Sequence, residues 1–258
     1  MSQWTHETDG PVLRMSFCDP DSRNRLTTPM LEEGRALLTK AVLDGVRVVI
    51  LRAEPVKGIW SSGHDISEIP LEAEEHVWAN PLENFLEYYR RLPVATIAEV
   101  GGNVWGGACE LVLSSDLVVA GADVRMAITP AKLGVGYPAS GVARFLACLP
   151  AQTVARMFLT AEPITMREAH GLGAVTEIVD DLAELPAAAR TWADKIIGNA
   201  PLTIAATKAA LAELSDAHLP PEARHRVDET VARAWTSKDL AEGVRAFTER
   251  RSPEFRGH

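Results

Sequence analysis

The sequence is short of cysteine, of positive charge and of long apolar runs, and each shortage excludes something. Three cysteines, Cys18, Cys109 and Cys148, lie far apart with no C-x-x-C pairing. A scattered, odd set fits free thiols in a reducing compartment, not a disulfide framework or a metal site. Basic residues number 26 against 35 acidic, a net charge of −9. A general nucleic-acid binder needs a basic face for phosphates, and this balance speaks against one. It leaves room for a local basic pocket around a phosphorylated ligand. No run reaches the roughly 18 apolar residues of a membrane span. The opening "MSQWTHETDGPVLRMSF" has neither a basic n-region nor an apolar h-region. A cytoplasmic protein with no membrane partner is therefore expected. A dinucleotide site is also disfavoured, because "GVGYPASG" lacks the G-x-G-x-x-G spacing.

What is present describes an ordinary globular chain, 47% hydrophobic and 24% charged over 258 residues. That is one large domain, or one with a small appendage. "VRVVILRA" (Val46–Ala53) and "PVATIAEV" (Pro93–Val100) are nearly continuous apolar runs, as strands covered on both faces require. Gly10–Phe17 and Ala174–Asp180 read as further strands, and Leu117–Ile128 as two short ones around Gly121–Asp123. Helical spacing marks Leu31–Asp44, Pro81–Arg91, Gly141–Cys148, Ala151–Thr160 and Met166–His170. From Leu182 the chain reads as successive helices broken at Asn199-Ala200-Pro201 and Leu219-Pro220-Pro221. The reading is a mixed α/β body over residues 1–200 and a helical tail over 201–258. Tail helices that cannot bury their apolar faces alone should pack on the body or on another subunit.

Two junctions combine a strand end, a glycine and a helix start. In "IWSSGHDISEIP" (Ile59–Pro70), Gly63 permits a sharp turn. Asp65 and Glu68 have capping spacing for a short helix from Ile66. In "GGNVWGGACELVLSSD" (Gly101–Asp116), Gly106 and Gly107 precede a helix. The amides of His64 and Gly107 would then be outward-pointing donors at helix starts. Two such donors facing one point make an oxyanion hole. Tight turns with no further purpose are the alternative at this stage.

The blocks "SSGHDI", "GGACELVLSSDLVVA" and "LGVGYPASG" resemble the signature blocks of the crotonase, or enoyl-CoA hydratase/isomerase, family. The likeness extends through "FLTAEPITMREAHGLGAVTEIVD", "APLTIAATKAAL" and "EGVRAFTERRSPEFRGH", over nearly the whole chain. The resemblance implies a crotonase-like spiral of β-β-α units with a C-terminal helical lobe. It implies trimers, often paired into hexamers, and acyl-CoA substrates. It assigns the enolate-binding amides to His64 and Gly107. No cofactor or metal is implied, since coenzyme A enters as part of the thioester. By the same resemblance the coenzyme lies along Asp21–Leu26 and the Ser62–Asp65–Ile66 loop. Arg23 and Arg25 are then candidates for its phosphates, joined by Arg250 and Arg251 from a neighbouring subunit.

Hydratases of this family use two glutamates. Glu110 matches the first, but the stretch that holds the second reads "TPAKLG", with Pro130 in its place. Hydration needs a base for water and an acid for carbon, so one missing carboxylate compromises it. The blocks around Ser62, Trp105, Thr129 and Tyr137, with the terminal "RGH", resemble the decarboxylating members instead, which carry a tyrosine where hydratases have Pro-Gly. That implies decarboxylation of a methylmalonyl-type thioester to the propionyl thioester. The Tyr137 hydroxyl would orient the departing carboxylate, with Thr129 as a second hydroxyl and Trp105 walling the methyl pocket. Against this stand a Tyr137 that only packs its ring, a Glu110 that is only salt-bridged, and hydratase or thioesterase chemistry through Glu110.

Overall fold

The computed structural model describes residues 3–54, 56–69, 80–216 and 221–256. Its described strands are β1 Trp4–Asp9, β2 Val12–Phe17, β3 Arg25–Leu26, β4 Val48–Ala53, β5 Ile59–Ser61, β6 Gly63–His64, β7 Ala95–Val100, β8 Asn103–Trp105, β9 Leu117–Gly121, β10 Arg125–Ala127, β11 Ile164–Thr165 and β12 Glu177–Val179. The helices are α1 Thr28–Leu43, α2 Pro81–Arg90, α3 Gly107–Leu113, α4 Ala139–Cys148, α5 Ala151–Thr160, α6 Met166–Gly171, α7 Leu185–Ile197, α8 Pro201–Asp216, α9 Pro221–Trp235 and α10 Lys238–Glu249. The break expected at Leu219–Pro220, the Pro70 end of the first glycine junction, and Gly257 and His258 of the terminal "RGH" lie outside the described residues.

The described strands form a six-stranded sheet in the order β1-β2-β4-β7-β9-β12, a four-stranded sheet in the order β11-β10-β8-β5 and a parallel pair, β3-β6. The first strand of each unit, β4, β7 or β9, sits in the large sheet in parallel with its neighbour. The second, β5, β8 or β10, does the same in the small sheet. A helix follows each pair, which is the expected β-β-α spiral. The alternation inside β4 shows why the sequence reads as a continuous apolar run. Val48 and Ile50 pack toward α7, with Ala189 and Ala193, while Val49 and Leu51 pack into the main core. Both faces are covered, so both must be apolar. The expected strand at Gly10–Phe17 is β2, and it hairpins with β1 through Gly10. Strand β1 carries no apolar alternation because Thr5–Asp9 are all exposed at the sheet edge.

The C-terminal helices dock on the body of their own chain. Lys208 on α8 donates to Val94 O (3.0 Å) and to Asp116 Oδ2 (2.6 Å). Backbone meets backbone at Gly134, where a Cβ would lie 2.6 Å from Asp239 O, and at Gly243, where it would overlap Leu133. The lobe also exposes Leu202, Leu211, Leu214 and Phe247. No described helix is long and apolar enough to cross a membrane.

Candidate active site

The pairing of β5 with β8, Ser61 opposite Val104, lays the two glycine junctions side by side. Gly63 has φ +93, a conformation that side chains rarely adopt, and the space beside it is closed as well. A Cβ there would stand 2.6 Å from Trp105 O and 3.2 Å from Gly107 N. The ladder bond to β3 comes from the amide of Asp65, to Leu26 O at 3.0 Å. The His64 amide lies on the Gly107 side, 3.8 Å from where a Gly107 Cβ would be. Gly107 is the first residue of α3, and its N-cap Gly106 has no side chain to occupy the terminal amides. The two amides expected from turn geometry are thus adjacent.

They open on a cavity of about 110 Å³. An apolar cavity of about 150 Å³ takes up benzene, so this one suits an acyl group of a few heavy atoms. Its wall includes Ser62, His64, Ile66, Gly107, Glu110, Thr129 and Tyr137, all expected at the site. Pro130 lines it too, and so does Glu83 from α2. The tryptophan in the wall is Trp235 from α9, not Trp105. Trp235 Nε1 is fixed by Gly136 O at 2.9 Å. Thr129 lines the cavity, its Oγ1 3.8 Å from where a Gly106 Cβ would be, and the hydroxyl makes no hydrogen bond among the described residues.

Beneath the cavity lies a buried polar cluster. Glu110 on α3 is 4% exposed and Arg144 on α4 is 9% exposed. Arg144 donates to Glu110 Oε1, and the Tyr137 hydroxyl donates to Glu110 Oε2. Arg144 also stands 3.8 Å from Glu83, whose Oε1 accepts from Ser140. Burial pushes the Glu110 carboxyl up from the usual range, against the pull of Arg144 and Tyr137. Burial, and then the facing Glu110 charge, push the Tyr137 phenol well up. The Tyr137 ring packs edge-on against Phe145 and Phe158, at 6.5 and 5.1 Å. So both roles weighed for Glu110 and Tyr137 are visible in part: Glu110 is salt-bridged, Tyr137 packs its ring, and both still face the cavity.

The remaining expected residues stand outside the cavity wall. Asp65 caps a 3-10 turn at Ile66–Glu68 through Ser67 N, and pairs with Arg25 at 3.0 Å. Glu68 does not return to Asp65 as a capping box would. It accepts from the Thr28 amide (2.9 Å) and hydroxyl (2.6 Å), at the start of α1. Burial lowers the His64 imidazole, against the pull of Glu68, whose Oε2 stands 3.5 Å from Nε2, and of Asp65. Arg23 is exposed in a left-handed turn with φ 58. Arg251 is engaged by Glu242 and Glu249. Glu83, Ser140, Arg144 and Trp235 escaped the sequence reading. For two of them a signal existed: Ser140 and Arg144 are one turn apart in the apolar helix "ASGVARFLAC".

Residues 7–258 match the model of the family described as enoyl-CoA hydratase/isomerase. The chain is 32% identical to methylmalonyl-CoA decarboxylase of Escherichia coli (strain K12), over 91% of this chain and 90% of that protein. It is 30% identical to carnitinyl-CoA dehydratase of Salmonella enteritidis, over the full length of both. The structure of methylmalonyl-CoA decarboxylase in complex with 2-nitronate-propionyl-CoA superposes with a TM-score of 0.94 at 30% identity, covering 99% of each chain. On the strength of its spiral, its paired glycine junctions and a match spanning nearly every residue, the chain belongs to the enoyl-CoA hydratase/isomerase, or crotonase, family.

Proposed function

We propose that this protein decarboxylates a malonyl-type acyl-CoA thioester, converting methylmalonyl-CoA to propionyl-CoA. The observation that carries the reading is the pairing of a two-amide cradle with a stretch of the same cavity wall, Thr129–Pro130, that has no carboxylate. The C–CO2 bond breaks and its electron pair moves into the thioester carbonyl. The enolate oxygen so formed lies at the amides of His64 and Gly107. Donors of this kind are each worth about 2.7–4 kcal/mol in a transition state. CO2 leaves and the enolate carbon takes up a proton from solvent water, which is left as hydroxide. The substrate carries its own leaving group, so no base has to remove a proton from carbon. Thr129 supplies the uncharged hydroxyl for the carboxylate, since the single Tyr137 hydrogen is given to Glu110. A cation there would hold the ground state and raise the barrier. The likeness to a methylmalonyl-CoA decarboxylase in sequence and in structure supports this.

A second reading, hydration or dehydration of an enoyl thioester, is favoured by one observation: Glu83 and Glu110 both line the cavity. Two carboxylates are what adding water requires, and a dehydratase is among the relatives. Incubation with methylmalonyl-CoA and with crotonyl-CoA separates the two. Propionyl-CoA with no hydrated product is the expected result, and hydration of crotonyl-CoA alone would overturn it. Arg23, Arg25 and Arg250 are proposed for the coenzyme phosphates. The exposed Leu202, Leu211, Leu214 and Phe247 are proposed to be covered in a trimer or hexamer. Light scattering checks that assembly, and a fully active monomer would exclude it.

A further inference from the structure

Three helices meet under the cavity, and each contributes polar groups to one cluster. Helix α2 gives Glu83, α3 gives Glu110, and α4 gives Ser140 and Arg144 one turn apart. Ionised Glu110 is an acceptor only. Both of its oxygens are taken, Oε1 by Arg144 and Oε2 by Tyr137. A phenol has one hydrogen to give. While Glu110 is a carboxylate, that hydrogen belongs to it, and the cavity meets only the lone pairs of Tyr137. If Glu110 takes up a proton, it acquires a hydrogen of its own and its hold on the phenol weakens. The Tyr137 hydrogen is then free to turn toward a ligand. We propose that Arg144 is a positioning residue of this cavity: it keeps Glu110 in the carboxylate form that holds the Tyr137 hydrogen in the wall and away from the ligand.

The groups acting on Glu110 come from every side of the cluster. Arg144 on α4 and Tyr137 ahead of it favour the charged form, whereas Glu83 on α2 and burial oppose it. Cys109, its neighbour on α3, is a buried thiol that burial keeps protonated, and His64 of the cavity wall on β6 is an imidazole that burial lowers. Arg144 is therefore the cation that opposes burial, the largest influence, and the second carboxylate. Arginine is suited to this, because it stays protonated at any working pH and points fixed donors at the carboxylate. Under the decarboxylase reading, on which the kinetic part rests, the consequence is a cavity that offers the ligand carboxylate little ground-state stabilisation. Without Arg144, the freed phenol would bind that carboxylate and slow its departure, lowering kcat and KM together.

The test is a pH titration of the protonated carboxyl band by infrared difference spectroscopy, with Glu110→Gln identifying the band. Removing an arginine partner shifts a carboxyl by about 1–3 pH units. In Arg144→Gln the Glu110 band is expected to titrate at least about one unit higher than in wild type, with Arg144→Lys in between. The acid limb of kcat moves up with it. A Glu110 titration unchanged in Arg144→Gln, with only thermal stability lowered, would show that Arg144 is structural and overturn the proposal. If Arg144→Gln does not fold, Arg144→Lys decides, since a wild-type titration there overturns it equally. If the wild-type protein fails to decarboxylate methylmalonyl-CoA, the substrate reading falls, and the infrared titration still decides the role of Arg144.

Discussion

Replacing Gly63 with alanine tests the oxyanion cradle through its geometry alone. The new Cβ would sit 2.6 Å from Trp105 O, where ordinary contact begins at about 3.4 Å. One of the two junctions must retreat by about 0.8 Å. The Trp105 carbonyl belongs to backbone in the four-stranded sheet and cannot swing aside as a side chain would. The retreat therefore separates the His64 and Gly107 amides that must share one oxygen. A misplacement of about 1 Å costs roughly a hundredfold in rate, and loss of one oxyanion donor about a hundred- to a thousandfold. A fall in kcat of that size is expected. Alanine at φ +93 adds backbone strain of about 1–3 kcal/mol. For a domain of this size that lowers Tm by about 2–12 °C. The control is Gly171→Ala, at a glycine with open space and no left-handed φ. It is expected to leave kcat unchanged and Tm equal or slightly higher. The assay is propionyl-CoA formation from methylmalonyl-CoA, with a thermal melt on each variant. A Gly63→Ala protein with wild-type kcat would refute the reasoning, whatever its melting point.

Thr129→Val removes a hydroxyl of the cavity wall that has no hydrogen-bond partner among the described residues, so kcat/KM should fall about ten- to a hundredfold with Tm unchanged. An unaltered rate would remove Thr129 from the chemistry. Lys208→Met takes the cation from Asp116 and Val94. The pair is largely buried on the lysine side, so the expected loss is near the low end of the range for broken buried pairs, about 3 kcal/mol, read as a Tm drop of about 6–12 °C. Glu242 is held well below the carboxylate range by Arg251, the Glu254 amide and Arg245. Its contribution to stability is therefore present above its unfolded value of 4.5 and lost as the pH falls below it. The Tm gap between wild type and Glu242→Gln should shrink between pH 7 and strongly acid solution, and a constant gap would contradict this sign.

Strands β4 and β7 were legible because both faces are buried and every position is constrained. Strand β1 was not, because an edge strand with one covered residue carries no pattern. Strands β5 and β8 are too short to show a period, yet their pairing is what joins the two glycine junctions. Those junctions were visible because a turn needs glycine at a fixed place, and that need is local. The cluster of Glu110, Arg144 and Glu83 was invisible for the opposite reason. Its members sit on three helices, and only the packing of α2, α3 and α4 brings them together. Trp105 and Trp235 make the same point: Trp105 adjoins the glycine pair in sequence and Trp235 lies far along the chain, yet the direction of a side chain from its element decides which one reaches the cavity.

The seating of the C-terminal helices on Gly134 and Gly243 ties occupancy of the cavity to docking of the lobe. Trp235 belongs to the wall, and Gly136, whose carbonyl accepts from it, is itself pressed against α9, where a Cβ would stand 2.8 Å from Val231 O. Detaching the lobe thus dismantles part of the binding surface, and a ligand that fills the cavity favours the docked state by mass action. At a hundredfold excess over Kd that amounts to about 2.7 kcal/mol. Hydrogen exchange should report it far from the ligand: the amides of α9 and α10 should slow on saturation with a thioester analogue, although most of them never touch it.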